Sequence, residues 1–103
     1  MRQQPELEVT EQPTDWLVPY ARNAKRHTHE QIDQICASIQ EFGFNDPVAV
    51  WRNDGGVPEI VEGHGRVLAA KRLGMGQVPV IELNHLSDEQ RRAYTHVHNQ
   101  LTM

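Results

Sequence analysis

Residues 59–74 read EIVEGHGRVLAAKRLG, and the fold turns on how this stretch is divided. Its first residues form a short apolar piece of strand type. Val67, Leu68, Ala69, Ala70 and Leu73 then support a short helix from Gly65 to Leu73, stopped by Gly74. Strand, glycine-bounded junction and helix is the expected order. Arg66 falls at the start of that helix, where the backbone dipole and free N–H groups favour anions and a cation forfeits about 0.3–1 kcal/mol. Either a carboxylate, Glu62 or Glu59, or a bound anion is needed to offset it.

Working upstream, PVAVW, the turn-forming NDGG and EIV read as a β-hairpin from Val48 to Val61. Before it, Ile32, Ile35, Cys36, Ile39 and Phe42 recur at helical spacing. Thr28 and Gln31 have capping-box spacing and Gly43 closes the far end, so this helix is expected from Thr28 to Phe42. Ahead of it ARNAKRHTH is a basic loop without an apolar anchor. The segment LEVTEQPTDWLVPY alternates apolar and polar positions, which predicts a first strand and a connection, and residues 1–6 are expected to be a flexible terminus.

Downstream, QVPVIEL predicts a strand with Pro79 at a sheet edge or strand end. SDEQ is a second capping box, and Ala93, Tyr94, Val97 and Leu101 follow at helical spacing. That helix meets no stop signal before NQLTM, which suggests that more of the chain once followed. The expected order is β, α, β, β, α, β, α: a small α/β domain with a mixed sheet and about three helices.

At 103 residues and 38% hydrophobic composition the chain supports one domain with one modest core. A net charge of −4 excludes a strongly basic nonspecific nucleic-acid binder, so any anion site must be local. Cys36 is the single cysteine, which rules out an internal disulfide framework or a cysteine zinc site. With no membrane-length apolar run and no signal-peptide pattern, a cytoplasmic setting is expected.

Two loops that lead into helix starts carry positive charge: Arg22, Lys25 and Arg26 ahead of Thr28, and Arg66 beside Gly63 and Gly65. Glycines let successive N–H groups turn toward one point, and a helix start with adjacent cations is suited to phosphate. Lys71 and Arg72 lie in a last helical turn, where the dipole favours cations, and read as structural. His27, His29 and His64 lack a metal-ligand pattern, so no metal site is assigned. His96 and His98 lie two apart and do not share a helix face, and no hydrolase triad order or nucleophile elbow is present.

GHGRVLAAKRLG followed by VPVIEL resembles the central motif of the ParB N-terminal domain family, within the ParB/sulfiredoxin fold. LVPYARNAKRHTHEQIDQICASIQEFGFNDPVAV resembles its leading box and helix, so the likeness covers residues 7–103. In partition proteins the central box reads G-E-R-R, which falls on Gly63, His64, Gly65 and Arg66. The G-H-G-R form with a late RRAY resembles the branch found in phage proteins and at the front of DNA methyltransferases. His64 stands where sulfiredoxins carry their cysteine, so sulfiredoxin activity is not expected. HNQLT resembles a third box, E-N-L-Q-R, with Asn99 on the asparagine and His98 on the acid.

The resemblance implies a phosphate-, nucleotide- or DNA-backbone-binding domain acting in DNA transactions, as an accessory to DNA modification. Its ligand would be a nucleoside triphosphate with magnesium, or DNA, and its partner a DNA methyltransferase. The expected site is Gly63, His64, Gly65 and Arg66, closed by Arg22, Asn23, Lys25 and Arg26, with Asn99 alongside. An enzymatic alternative, a nuclease or magnesium-dependent nucleotide hydrolase or kinase, would use Glu62 as its carboxylate. A third reading is an interaction domain with a vestigial pocket. The chain has no D-P-P-Y-type motif and no room for a Rossmann unit, so it is not itself a methyltransferase.

Overall fold

The computed structural model describes residues 6–19 and 27–101, with side chains as far as residue 97. In chain order the elements are β1 (Thr10–Pro13), a 3-10 turn (Thr14–Trp16), β2 (Val18–Pro19), α1 (His29–Phe42), β3 (Val48–Arg52), β4 (Pro58–Glu62), α2 (His64–Arg72), β5 (Gln77–Glu82) and α3 (Asp88–Leu101). The expected hairpin is the centre of the sheet. Asn53 shapes its turn, its side-chain oxygen accepting from Gly55 N at 2.9 Å and Val57 N at 3.0 Å. Around β3 and β4 the strands take the order β1-β5-β3-β4-β2. Pairing is antiparallel for β1/β5 and β3/β4 and parallel for β3/β5 and β2/β4, a mixed sheet as expected.

The period of two along β3 divides the core. Val48 and Val50 join Ile60, Val78 and Val80 on one face, against Val67 and Ala70 of α2 and Leu17 from the N-terminal ribbon. Ala49 and Trp51 join Val61 and Leu83 on the other, with Tyr94 of α3 packed against them. A third cluster, Ile32, Cys36 and Ala69, holds α1 on the outer side of α2. The layers are therefore α3, sheet, α2, α1.

Three expectations need correction. Val18 and Pro19 form an additional two-residue strand beside β4, too short for periodicity to reveal. Pro79 lies inside β5, between two neighbours, rather than at an edge. Its missing N–H is tolerated because pairing with β3 begins one residue later, at Val80 opposite Val48. Among the described side chains of α3 the buried ones are Arg91 and Thr95, with Tyr94 half-buried, whereas Ala93 and Val97 face solvent. Arg91 enters the interface because its guanidinium lies 4.8 Å from the Trp51 ring centroid and donates to Asp88 at 2.8 Å. Apolar spacing alone therefore finds Tyr94 but misses Arg91 and Thr95.

The helix ends agree closely with expectation. Thr28 and Gln31 exchange both capping-box bonds at the start of α1, and Ser87 and Gln90 do so at the start of α3. Gly43 closes α1 with φ +92°, a conformation costly for residues with a Cβ. The helix α2 begins at His64, one residue ahead of the expected Gly65. No helix among the described residues is long and apolar enough to cross a membrane.

Candidate functional site

The junction between β4 and α2 is built by Gly63. Its φ of +114° turns the chain from strand to helix, and no side chain caps the helix that follows. Val67 N reaches back to the Gly63 carbonyl at 3.0 Å, leaving the earlier N–H groups of the first turn directed out of the helix end. No acidic residue lies in that turn. Gly65 permits close approach by α1 and the residues leading into it: a Cβ there would stand 2.8 Å from His27 Nε2 and 2.9 Å from Ile35 Cδ1.

Arg66 answers the charge problem through the protein itself. Its Nε donates to the Asp46 carbonyl at 3.0 Å and its Nη2 to the Pro47 carbonyl at 3.2 Å. The same guanidinium meets both oxygens of Glu62, at 3.3 and 2.9 Å. Glu62 rather than Glu59 is the partner, since Glu59 Oε2 accepts from Asn53 Nδ2 at 3.0 Å in the hairpin turn. Arg66 thus ties the first turn of α2 to the chain entering β3. It also borders a groove of about 360 Å³ that Ile35, Ile39, Phe42, Phe44 and Asn45 help to line.

The other expected residues fall as follows. Gly63, His64, Gly65, Arg66 and Glu62 are gathered at this junction, whereas Arg22, Asn23, Lys25, Arg26 and the side chain of Asn99 lie outside the described residues, as do residues 1–5. His27, which closes that basic loop, does reach the start of α2. Arg72 ion-pairs with Asp33 and contacts His29 Nδ1 at 3.2 Å, linking α2 to α1 in the structural role read from its position. Among the described residues no three of His, Cys, Asp and Glu cluster as metal ligands.

Sequence reasoning missed three contributors. Tyr94 of α3 is held high in pKa by burial first and by the Glu62 carboxylate second, so it belongs to the same neighbourhood. The Asp46 and Pro47 carbonyls carry no side-chain signature that a sequence could show. At His64, burial and then the nearby His27 hold the imidazole below its usual 6.5, which favours the neutral ring.

A mixed five-stranded sheet with α3 on one face, α2 and α1 on the other, and a glycine-bounded strand-to-helix junction defines a domain of the ParB/sulfiredoxin fold. Residues 2–100 match the ParB N-terminal domain family, and the chain belongs to it. The ParB-like nuclease domain-containing protein YnaK of Escherichia coli K12 is 45% identical over 86 residues, covering 84% of this chain and 94% of YnaK. The chromosome-partitioning protein ParB of Caulobacter crescentus, complexed with CTP-gamma-S, superposes with a TM-score of 0.78 at 25% identity. That match covers 93% of this chain and 54% of the truncated ParB, so the chain corresponds to about half of it. Arabidopsis thaliana sulfiredoxin, at 18% identity and a TM-score of 0.69 over 84% of this chain and 96% of its own, shares the fold.

Proposed function

We propose that the domain binds a phosphate-bearing ligand, a nucleoside triphosphate or a nucleic-acid backbone, at the start of α2, and that it serves DNA transactions as an accessory to DNA modification. The observation that carries this reading is the contrast among the helices. α1 and α3 are each closed by a complete capping box, whereas α2 opens on Gly63, His64 and Gly65 with no cap and no acid. Its N–H groups suit an anion. Arg22, Lys25 and Arg26 precede His27 and are proposed to close over the ligand, with Asn23 and Asn99 orienting its base or sugar. The nucleotide complex of Caulobacter ParB supports the choice of ligand class.

A glycine-bounded helix start fits the phosphates of a nucleotide. Magnesium would be held largely by those phosphates, given the lack of a ligand cluster among the described residues. The enzymatic alternative has less support, because both Glu62 oxygens already accept from Arg66. A methyltransferase partner and a phage setting rest on the G-H-G-R form and the late RRAY.

The test is a thermal-shift panel of nucleotides and short DNAs with and without magnesium. A true ligand at a hundredfold over its Kd should add about 2.7 kcal/mol of stability. No shift with any nucleotide or DNA at low salt would refute the reading. Magnesium-dependent turnover that Glu62→Gln abolishes would instead establish the enzymatic alternative. Co-purification with a DNA methyltransferase, lost on deleting this domain, is the outcome expected for the accessory role.

A further inference from the structure

The apolar stripe of α1 is wider than the surface that covers it. Ile32 and Cys36 are buried with Ala69 of α2, but α2 has nine residues against the fourteen of α1. Ile35 and Ile39 are left half-buried, and Phe42, at 68% exposure, is the most exposed large hydrophobic side chain among the described residues. With Phe44 these three line the groove of about 360 Å³. The exposure of Phe42 is not that of a frayed end. Gly43 N donates to the Ile39 carbonyl at 2.8 Å and Asn45 Nδ2 to the Phe42 carbonyl at 2.7 Å, which closes the last turn of α1. Apolar walls fixed around a concave surface mark a binding surface, unlike a lone exposed side chain.

Backbone and charge select the occupant. None of the residues that line the groove belongs to a strand, so it offers no ladder to an extended peptide. An occupant has to satisfy its own backbone, as a helix does. From Gln34 to Phe42 the groove follows α1 for about 12 Å, the span of apolar anchors at i, i+4 and i+7 on a facing helix. Residues 28–51 contain four acids and no lysine or arginine. Asp46 lines the groove, and Glu41 lies one turn from Ser38, which also lines it. Neither carboxylate has an ion-pair partner among the described residues. Glu41 moreover sits in the last turn of α1, where the dipole disfavours an anion and no basic residue is present. Arg66, the one cation among the described residues of the lining, is matched by Glu62. The border therefore suits cations and opposes phosphate.

We infer that this groove docks a basic amphipathic helix of another protein. Apolar side chains of that helix pack against Ile35, Ile39, Phe42 and Phe44, and its lysines or arginines meet Glu41, Asp46 and the carbonyl end of α1. Burial of the phenylalanines supplies affinity, whereas the exposed rim charges steer the encounter, choose the partner and weaken with salt. Docking here does not require an anion at α2.

The probe is a synthetic peptide of about four helical turns, with leucines at i, i+3, i+4 and i+7 spacing and lysines at the flanking positions. Fluorescence anisotropy follows its titration with the 103-residue chain at low and high salt. One control peptide keeps the composition but scrambles the stripe, and another has glutamate for every lysine. The basic amphipathic peptide should bind, and both controls should bind more weakly by about tenfold or more. Phe42→Ala should weaken binding by about tenfold or more. Glu41→Gln combined with Asp46→Asn should weaken it severalfold and make it less sensitive to salt. Val97→Ala, which alters an exposed apolar residue of α3 across the sheet, should leave affinity unchanged.

Absence of binding at low salt overturns the docking site. Equal binding of the scrambled peptide, or full affinity in Phe42→Ala, reduces the attraction to bulk charge and overturns it too. A nucleotide that displaces the peptide and shifts the same amide resonances would give the groove to a small ligand, and dimerisation abolished by Phe42→Ala would give it to a second copy; either refutes the helix. Should Phe42→Ala melt early, wild-type amide shifts decide: changes centred outside residues 34–46 on adding peptide refute the proposal.

Discussion

At the scale of single residues, Arg66 carries two roles that a sequence cannot separate: a cation offered to a ligand and a bracket between elements. Its four contacts, two to backbone carbonyls and two to Glu62, predict a scaffold contribution. Arg66→Ala should lower unfolding stability by about 1.5–3 kcal/mol, since it leaves charge-assisted bonds unmade and carbonyls unpaired. Arg66→Lys should recover little, because one ammonium cannot span three acceptors. Denaturant titration checks both, and unchanged stability in Arg66→Ala would refute the bracket. His64 gives a second expectation. Its folded-state pKa lies below the ordinary imidazole value, so the unfolded chain takes up the proton first as pH falls. Stability should therefore decline from about pH 7 toward the folded midpoint, and His64→Gln should flatten that decline in melts run across the range. The sequence showed that Arg66 needed a counter-charge and named Glu62 among the candidates. It could not show the Asp46 and Pro47 carbonyls, because backbone acceptors carry no identity in a sequence.

At the scale of elements, legibility followed local chemistry. Both capping boxes were readable because the Thr28–Gln31 and Ser87–Gln90 exchanges involve neighbouring residues only. Thr28→Ala should destabilise the domain by about 1 kcal/mol through loss of the cap. Gly63→Ala should cost more, about 1–3 kcal/mol. Its φ of +114° disfavours any Cβ, and the new methyl would meet Val48 Cα at 3.4 Å and Arg66 Nη2 at 3.2 Å. Chemical denaturation of the two variants side by side gives the order, and an equal or smaller loss at Gly63 would contradict it. The buried face of α3 was legible only at Tyr94, because Arg91 is buried through its contact with Trp51, a residue forty positions earlier in the chain. Pro79 misled for a similar reason: its tolerance depends on where β3 begins, which only the assembled sheet defines.

At the scale of the whole molecule, the sheet order places the N-terminal ribbon at both margins, β1 beside β5 and β2 beside β4. Between them Thr14 bonds to Gly76 and Met75, and Leu17 joins the core. Deleting the chain through Pro13 would bare the outer edge of β5 from Gln77 to Val80, a stretch carrying Val78 and Val80. The truncated protein should self-associate, seen as an early-eluting species in size-exclusion chromatography, whereas a clean monomer would show that β1 is dispensable. The class of fold was legible because strand and helix periods are local, and so was the β1 margin; the β2 margin was not, because β2 is only two residues long. The ribbon also sets a timetable for synthesis. Thr10 pairs with Val80 and Val18 with Glu59, so the first part to leave the ribosome is among the last to find its partners. Nascent chains stalled before Val80 should therefore remain open to proteases around Trp16 and Leu17, and become resistant only once β5 has emerged.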